Sequence, residues 1–283
     1  MIAVRLIGGL GNQMFQYAAG RALADRLGTE LLLDTRDFEH YSLYNYGLHK
    51  FAIDIPVASP LQLARWPSWF RRGSRLLRRM GIYTRWYAEI QFKYDAAWES
   101  IQDGTMIDGY FQSERYFTGI AATLRREFVP VASLSTQNAH LAELARNCKS
   151  VAIHVRRGDY VTNLNTLKVH GVCSPAYFEA SIDYMRERLE NPRFFVFSND
   201  MAWARENLEL GDNAIFVTGN EQNPEIDIYL MSQCRHQIIA NSSFSWWGAW
   251  LNSLEEKMVI APKRWFAKPI DTCDLIPGEW IKI

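Results

Sequence analysis

No stretch of this sequence has the roughly eighteen consecutive apolar residues that a membrane-spanning helix requires. The first residues lead directly into a strand pattern, without the basic leader and apolar core of a signal peptide, so a cytoplasmic protein is expected. Cysteine is scarce: Cys148, Cys173, Cys234 and Cys273 lie far apart with no Cys-x-x-Cys pair. Such spacing argues against a disulfide framework or a zinc knuckle and for reduced thiols. An excess of charge is missing too. Lysines plus arginines equal aspartates plus glutamates at 31 each, so the bulk charge points to no nucleic acid or other polyanion.

What is present is ordinary globular material. The 283 residues are 48% hydrophobic and 22% charged, enough for one large or two moderate domains with full cores. The most informative stretch is Val151-Ala152-Ile153-His154-Val155-Arg156-Arg157-Gly158-Asp159-Tyr160. It begins as the short apolar run of a buried parallel strand and breaks into a histidine, two arginines, a glycine and an aspartate. Ligands of open α/β sheets bind beyond the carboxyl ends of the strands. Two guanidinium groups at such an end suit a phosphate, which their planar forks hold without losing charge. Pairing with surface carboxylates is the competing reading for either arginine alone.

Strand and helix signals alternate along the rest of the chain. Ala3–Ile7 reads as a strand, followed by a turn with Gly8, Gly9 and Gly11 and a helix over 12–27. The glycines let backbone amides approach a ligand. They depart from the dinucleotide fingerprint, because Asn12, Gln13 and Met14 follow Gly11 where a third glycine belongs. Further strands are predicted over 30–34, 106–111, 193–197, 214–217, 237–240 and 258–261. Helices are expected from Gln112, over 137–147, from Pro175 behind Ser174 as N-cap to about residue 189, and over 224–234. The strand over 193–197 ends in Ser198-Asn199-Asp200, and Asp200 suits an N-cap. The strand over 237–240 empties into Asn241-Ser242-Ser243-Phe244-Ser245, where hydroxyls and helix-start amides form either an anion cradle or a plain cap. Trp246, Trp247 and Trp250 follow at helical spacing and are expected in the core.

Three segments together resemble one family. His154-x-Arg156-Arg157-x-Asp159, Gly8-Gly9-Leu10-Gly11-Asn12-Gln13 and Asn241-Ser242-Ser243-Phe244-Ser245-Trp246-Trp247 are similar, in order and separation, to the signatures of α1,2-fucosyltransferases, glycosyltransferase family 11. The likeness runs from about residue 2 to about residue 265 and, with neither membrane anchor nor stem in view, suggests a bacterial member. It implies an α/β, GT-B-like fold, two Rossmann-like domains facing across a cleft: an acceptor-side domain over 1–148 and a GDP-fucose domain over 149–283. The activity it implies is inverting transfer of L-fucose from GDP-fucose to the 2-hydroxyl of a terminal galactose, on an oligosaccharide or lipid-linked glycan of the O-antigen kind.

The resemblance also distributes roles. Arg156 stabilises the departing β-phosphate, with amides near Ser243 and Phe244 assisting and Ser242 beside them. His154 and Arg157 position the donor, and Asn199 and Asp200 hold its guanine, Asp200 accepting from N1 and the amino group. Asn12 lies near the β-phosphate or the acceptor, and the block over 106–117 faces the acceptor. Asp159 and Glu114 are the nameable bases for the attacking hydroxyl; Asp159 serves equally well as a structural partner of the arginines. No Asp-x-Asp occurs, and Glu225-x-Asp227 reads as first-turn helix charge, so arginine is expected in place of a metal.

One stretch stays outside this scheme. Over 66–80, arginines interleave with Trp66, Trp69, Phe70, Leu76 and Leu77. This composition fits an interfacial helix on anionic lipid, hence a peripheral inner-membrane contact, or a solvated helix with its aromatic side packed inward. Two rival functions are kept in view. A non-catalytic membrane-surface or carbohydrate-binding module would use that stretch. A dinucleotide-dependent oxidoreductase would leave Arg156 and Arg157 unexplained.

Overall fold

Strands buried on both faces read as unbroken apolar runs. The protein, seen in a computed structural model, builds two all-parallel sheets from such runs. The structure describes every residue except Ser42 and Tyr83, together with the side chains of Ser68, Arg72 and Asp159. The chain forms two units. One is Met1–Val129 with Asp271–Pro277, the other Pro130–Ile270 with Gly278–Ile283. Each is a Rossmann-like α/β unit, as the GT-B-like class requires.

In the first unit the sheet order is β2-β1-β4-β3, with β1 Ile2–Arg5, β2 Leu31–Asp34, β3 Trp86–Ala88 and β4 Met106–Asp108. The helix after β1, Leu10–Leu27, starts two residues earlier than expected. It ends where Gly28, at φ +59°, turns left-handed and donates its amide to the carbonyls of Ala24 and Asp25. Two expectations need correction. The strand predicted over 106–111 stops at Asp108, because Phe111 sits at φ +51°, which no strand tolerates. The helix expected from Gln112 is a single 3₁₀ turn, Glu114–Tyr116, capped by Ser113. Strand β3 was not foreseen: three residues are too few to show a period.

The second sheet runs β10-β9-β8-β5-β6-β7, with β5 Ser150–Val155, β6 Arg193–Ser198, β7 Ile215–Phe216, β8 His236–Ile238, β9 Val259–Ala261 and β10 Ile281–Lys282. Alternate residues of β5 and β6, namely Val151, Ile153, Val155, Phe194 and Val196, form one core with Phe178, Ile182 and Met185 of helix Pro175–Arg188. Period-two geometry sends His154 and Phe197, paired in register, to the opposite face.

The division between units differs from the expected boundary at 148/149. Helix Thr136–Asn147 belongs to the second unit, where Leu141, Ala142 and Ala145 are buried and Asn138 donates to the Asn220 side chain at 2.8 Å. Residues 271–277, expected in the C-terminal domain, belong to the first unit. Asp271 pairs with Lys93 at 3.3 Å, and Asp274 accepts from Arg115 and the Tyr94 amide, both at 3.1 Å.

The tryptophans after β8 are core, as expected. Trp246 stacks on Trp250 with centroids 5.9 Å apart, meets Trp247 edge-on at 5.1 Å and touches Trp280 at 5.5 Å. Trp246→Ala is therefore expected to cost about 3–5 kcal/mol in urea unfolding. Trp69→Ala, at an exposed ring, should stay within about 0.5 kcal/mol.

Candidate active site

Strand β5 sits between β6 and β8. The chain leaves β5 to one side for β6 and β7, then returns to the other side for β8, so the carboxyl end of β5 is a topological switch point, where such sheets open a crevice. Eight of the sequence-predicted residues sit there: His154, Arg156 and Arg157 at the end of β5, Asn199 and Asp200 past β6, and Ser242, Ser243 and Phe244 past β8.

The turn after β5 is fixed by a side chain from β6's end. Asn199 Oδ1 accepts the Arg157 amide at 2.9 Å. A Cβ on Gly158 would lie 2.3 Å from Asn199 Nδ2, so the glycine is what admits this side chain. The two arginines then part. Arg157 is spoken for: its Nε lies 3.4 Å from Asp200, and its guanidinium covers the Trp203 ring at 4.3 Å. Asp200 also caps helix Met201–Asn207 by accepting the Trp203 amide at 3.2 Å. The N-cap reading of Asp200 is thus met in this structure, and the same carboxylate also faces Arg157. Arg156 is half-buried with its guanidinium 5.2 Å from the Tyr160 ring. The Asp159 side chain lies outside the described residues, although its backbone belongs to helix Gly158–Thr162.

His154 is buried, and its ring lies against Phe244, centroids 5.4 Å apart. Burial, with the charge of Arg156, pushes its pKa down to about 3, so the imidazole is neutral in ordinary conditions. Its Nδ1 has no hydrogen-bond partner among the described residues. Past β8, Ser242 caps helix Ser243–Leu251 by accepting the Phe244 amide at 3.3 Å, and its own amide goes to the Ala240 carbonyl. The cap that needs no ligand is therefore formed, and the helix start at Ser243 lies beside it.

Asn241, not singled out from sequence, ties this edge together. Its Nδ2 donates to the carbonyls of His170 at 2.9 Å and Trp265 at 3.1 Å, and its Oδ1 lies 3.6 Å from Cys173 Sγ. A buried asparagine after a strand, inside a motif, was the available signal. Asp227 accepts from Asn220 at 2.8 Å and is raised to about 6 by burial, while Glu225 is buried in the same first helical turn. Both belong to helix Pro224–Gln233, as their reading as first-turn charge expected. Among the described residues, no three His, Cys, Asp or Glu side chains group as a metal would need.

Asn12 and Glu114 belong to the first unit. Asn12 Oδ1 accepts from Gln112 Nε2 at 2.8 Å, joining the first turn of helix Leu10–Leu27, next to the loop after β1, to the turn after β4. Buried Gln13 and Gln16 brace the same loop, Gln13 through the Gly8 and Asn45 carbonyls and Gln16 through the Ile7 amide. Glu114 opens the 3₁₀ turn. Sequence reading passed over Glu89, whose carboxylate accepts the amides of Tyr110 at 2.7 Å and Phe111 at 3.1 Å and so holds the left-handed turn. Burial raises its pKa to about 7.

These features match known proteins. The sequence model of glycosyl transferase family 11 covers residues 77–283. An α-1,2-colitosyltransferase of Escherichia coli is 37% identical over 100% of this chain and 99% of its own length. The O-antigen biosynthesis glycosyltransferase WbnK of the same species is 31% identical, covering 98% and 99%. The galactoside α-(1,2)-fucosyltransferase 2 of Bos taurus is 30% identical over 89% of this chain and 69% of its own. Among solved structures, an Arabidopsis thaliana FUT1 mutant in complex with GDP superposes with a TM-score of 0.54 at 13% identity, covering 93% and 71% of the two chains. At that identity the likeness concerns the fold.

The depressed pKa of His154 has a measurable consequence. Below about pH 6.5 the unfolded chain takes up a proton on this ring that the folded chain refuses until about pH 3. This group's contribution to stability is intact above that window and falls by about 1.4 kcal/mol per pH unit inside it. His154→Phe is expected to flatten that part of the acid slope in urea unfolding between pH 7 and pH 4. An unchanged slope would mean the ring is protonated in place.

Proposed function

The chain belongs to glycosyl transferase family 11, and from that membership we propose that it moves L-fucose from GDP-β-L-fucose to the 2-hydroxyl of a terminal galactose. The transfer inverts the donor linkage to an α-fucoside and uses no metal ion. Glycosyl transfer of the fucosyltransferase type is the activity of the family; donor, acceptor hydroxyl and stereochemistry are the parts proposed here. The observation that carries the reading is the placing of Arg156 and Arg157, of Asn199 and Asp200, and of the helix start at Ser243 past the ends of three neighbouring strands, β5, β6 and β8.

As the bond to the diphosphate stretches, the sugar becomes cation-like and negative charge gathers on the leaving oxygen. A fixed cation at that oxygen lowers the barrier without having to reorganise, and an arginine keeps its charge throughout. Arg157 is held by Asp200 and Trp203, which fits it to orient the donor. For Arg156, half-buried on the same turn, the proposed role is to meet the developing charge, with the amides near Ser243 and Phe244 assisting. Neutral His154 cannot donate a proton as an acid would, so its unpartnered Nδ1 suits a positioning contact with the donor. The attacking hydroxyl loses its proton late, when the donor carbon is already cationic, so a weak base suffices. Glu114 and Asp159 remain the carboxylates proposed for it.

A second donor is favoured by a specific observation, the 37% identity to a colitosyltransferase. Colitose is fucose without its 3-hydroxyl. A pocket that hydrogen-bonds that hydroxyl would reject the deoxy sugar by about 10⁴-fold, whereas an apolar pocket there would accept it.

Incubation of the protein with a β-galactoside such as lactose, EDTA and either GDP-fucose or GDP-colitose tests both. We expect a 2-linked fucoside by NMR. Arg156→Ala should lower kcat about 100- to 1000-fold, the loss typical of one charge-stabilising donor. Transfer of colitose alone would assign the second donor. Transfer lost in EDTA and restored by a divalent ion would overturn the role given to arginine.

A further inference from the structure

Helix Arg71–Arg79, in the first unit, is folded inside out. Its polar side faces inward. Arg71 pairs with Asp108 at 3.4 Å and Asp37 at 3.8 Å; buried Ser74 donates to the Arg71 carbonyl. Arg78 donates to the Ala88 carbonyl and the Asp95 carboxylate and lies 3.4 Å over the Tyr87 ring. Leu77 is half-buried, Trp66 is buried and Phe70 packs on the core, but the outer side of the helix is also apolar. Leu76 and Met80, one turn apart, are 62% and 65% exposed, and Trp69, just before the helix, is 78% exposed. Exposed Arg75 and Arg79 run beside them, again one turn apart. A helix on a water-soluble surface does the opposite, burying its apolar stripe and wetting its charges.

The charge around this face is segregated as well. Between Asp54 and Glu89 there is no acidic residue, yet Arg65, Arg71, Arg72, Arg75, Arg78, Arg79 and Arg85 fall there, in a chain whose formal net charge is +0. The partner must therefore be anionic and must also accept leucine, methionine and an indole. A second copy of the chain would bring like charges together. A nucleic acid offers nothing to Leu76 and Met80. An anionic bilayer meets both demands: its headgroups attract arginine, and its interfacial zone takes Trp and short aliphatic stripes.

We propose that helix Arg71–Arg79, with Trp69, is a docking face that lays this protein on an anionic lipid surface. The face does not depend on which sugar is transferred, so its test stands apart from the assay above.

Co-sedimentation of the full chain with phosphatidylglycerol vesicles and, separately, phosphatidylcholine vesicles is the measurement. Binding is expected to the first and not the second, weakening as salt screens the arginines. The double variant Arg75→Gln/Arg79→Gln should bind the anionic vesicles about 30-fold more weakly, at about 1 kcal/mol per arginine. Leu76→Ser/Met80→Ser should also lose binding, and both should keep wild-type thermal unfolding. Equal sedimentation with the two lipids, or none with either, would overturn the proposal. So would binding that an RNA homopolymer displaces and the Leu76/Met80 variant retains, which marks a plain polyanion site. A dimer in light scattering, abolished by the same variant, would assign the face to a second copy instead.

Discussion

The hydrogen bond from the Arg157 amide to Asn199 Oδ1 is the constraint on which the rest of the site depends. It joins the end of β5 to the end of β6 at the point where the β5 chain stops being strand. Gly158 makes it sterically feasible, since any larger residue would strike the Asn199 amide. Once the turn is fixed, adjacent arginines acquire different surroundings. Arg157 is drawn to Asp200 and Trp203, and Arg156 stands next to His154, whose charged form it helps to suppress. Two identical side chains in sequence acquire different contacts, Arg157 with Asp200 and Trp203 and Arg156 near the Tyr160 ring, because the backbone between them is clamped.

The opposite side of the edge is built by the same means. Asn241 spends its amide on the carbonyls of two separate loops, and Ser242 caps the helix that follows. Polar groups at the carboxyl ends of buried strands must be satisfied or left costly. Here they are satisfied by holding loops in place, which leaves the helix start and His154 beside them. The first unit shows a parallel arrangement: Glu89 grips the Tyr110–Phe111 turn, and Gln112 reaches from that turn to Asn12. In each unit the motif residues are chiefly braces, and the braces place a few others.

Much of this was legible from residues alone. The apolar run before His154, the capped helix at Pro175 and the tryptophan cluster after Ser243 all lie where their patterns put them, because each is a local signal strong enough to survive tertiary context. What escaped notice was non-local. Strand β3 and strand β10 exist only through pairing with β4 and β9. The boundary near 130 is set by helix Thr136–Asn147 joining the second unit, which no composition shift announces. Phe111 in a left-handed turn ended a strand that alternation alone would have extended. Glu89 lies 21 residues from the Tyr110 amide it accepts, and Asn199 lies 42 from the Arg157 amide, so neither partnership could be read off spacing. The arginine-rich stretch is divided: Trp66 is buried and Phe70 packs on the core, whereas Trp69, Leu76 and Met80 are exposed, a split that composition alone does not show.

The central claim is that the nucleotide diphosphate of the donor sits on the ends of β5, β6 and β8. Hydrogen–deuterium exchange with and without GDP tests it most directly. The account predicts slowed exchange over residues 154–160, 198–203 and 242–246, and none at the other end of the same sheet around Lys149, Arg235 and Lys257. Protection confined to that other end, or absent from the 154–160 turn while GDP binds, would contradict it.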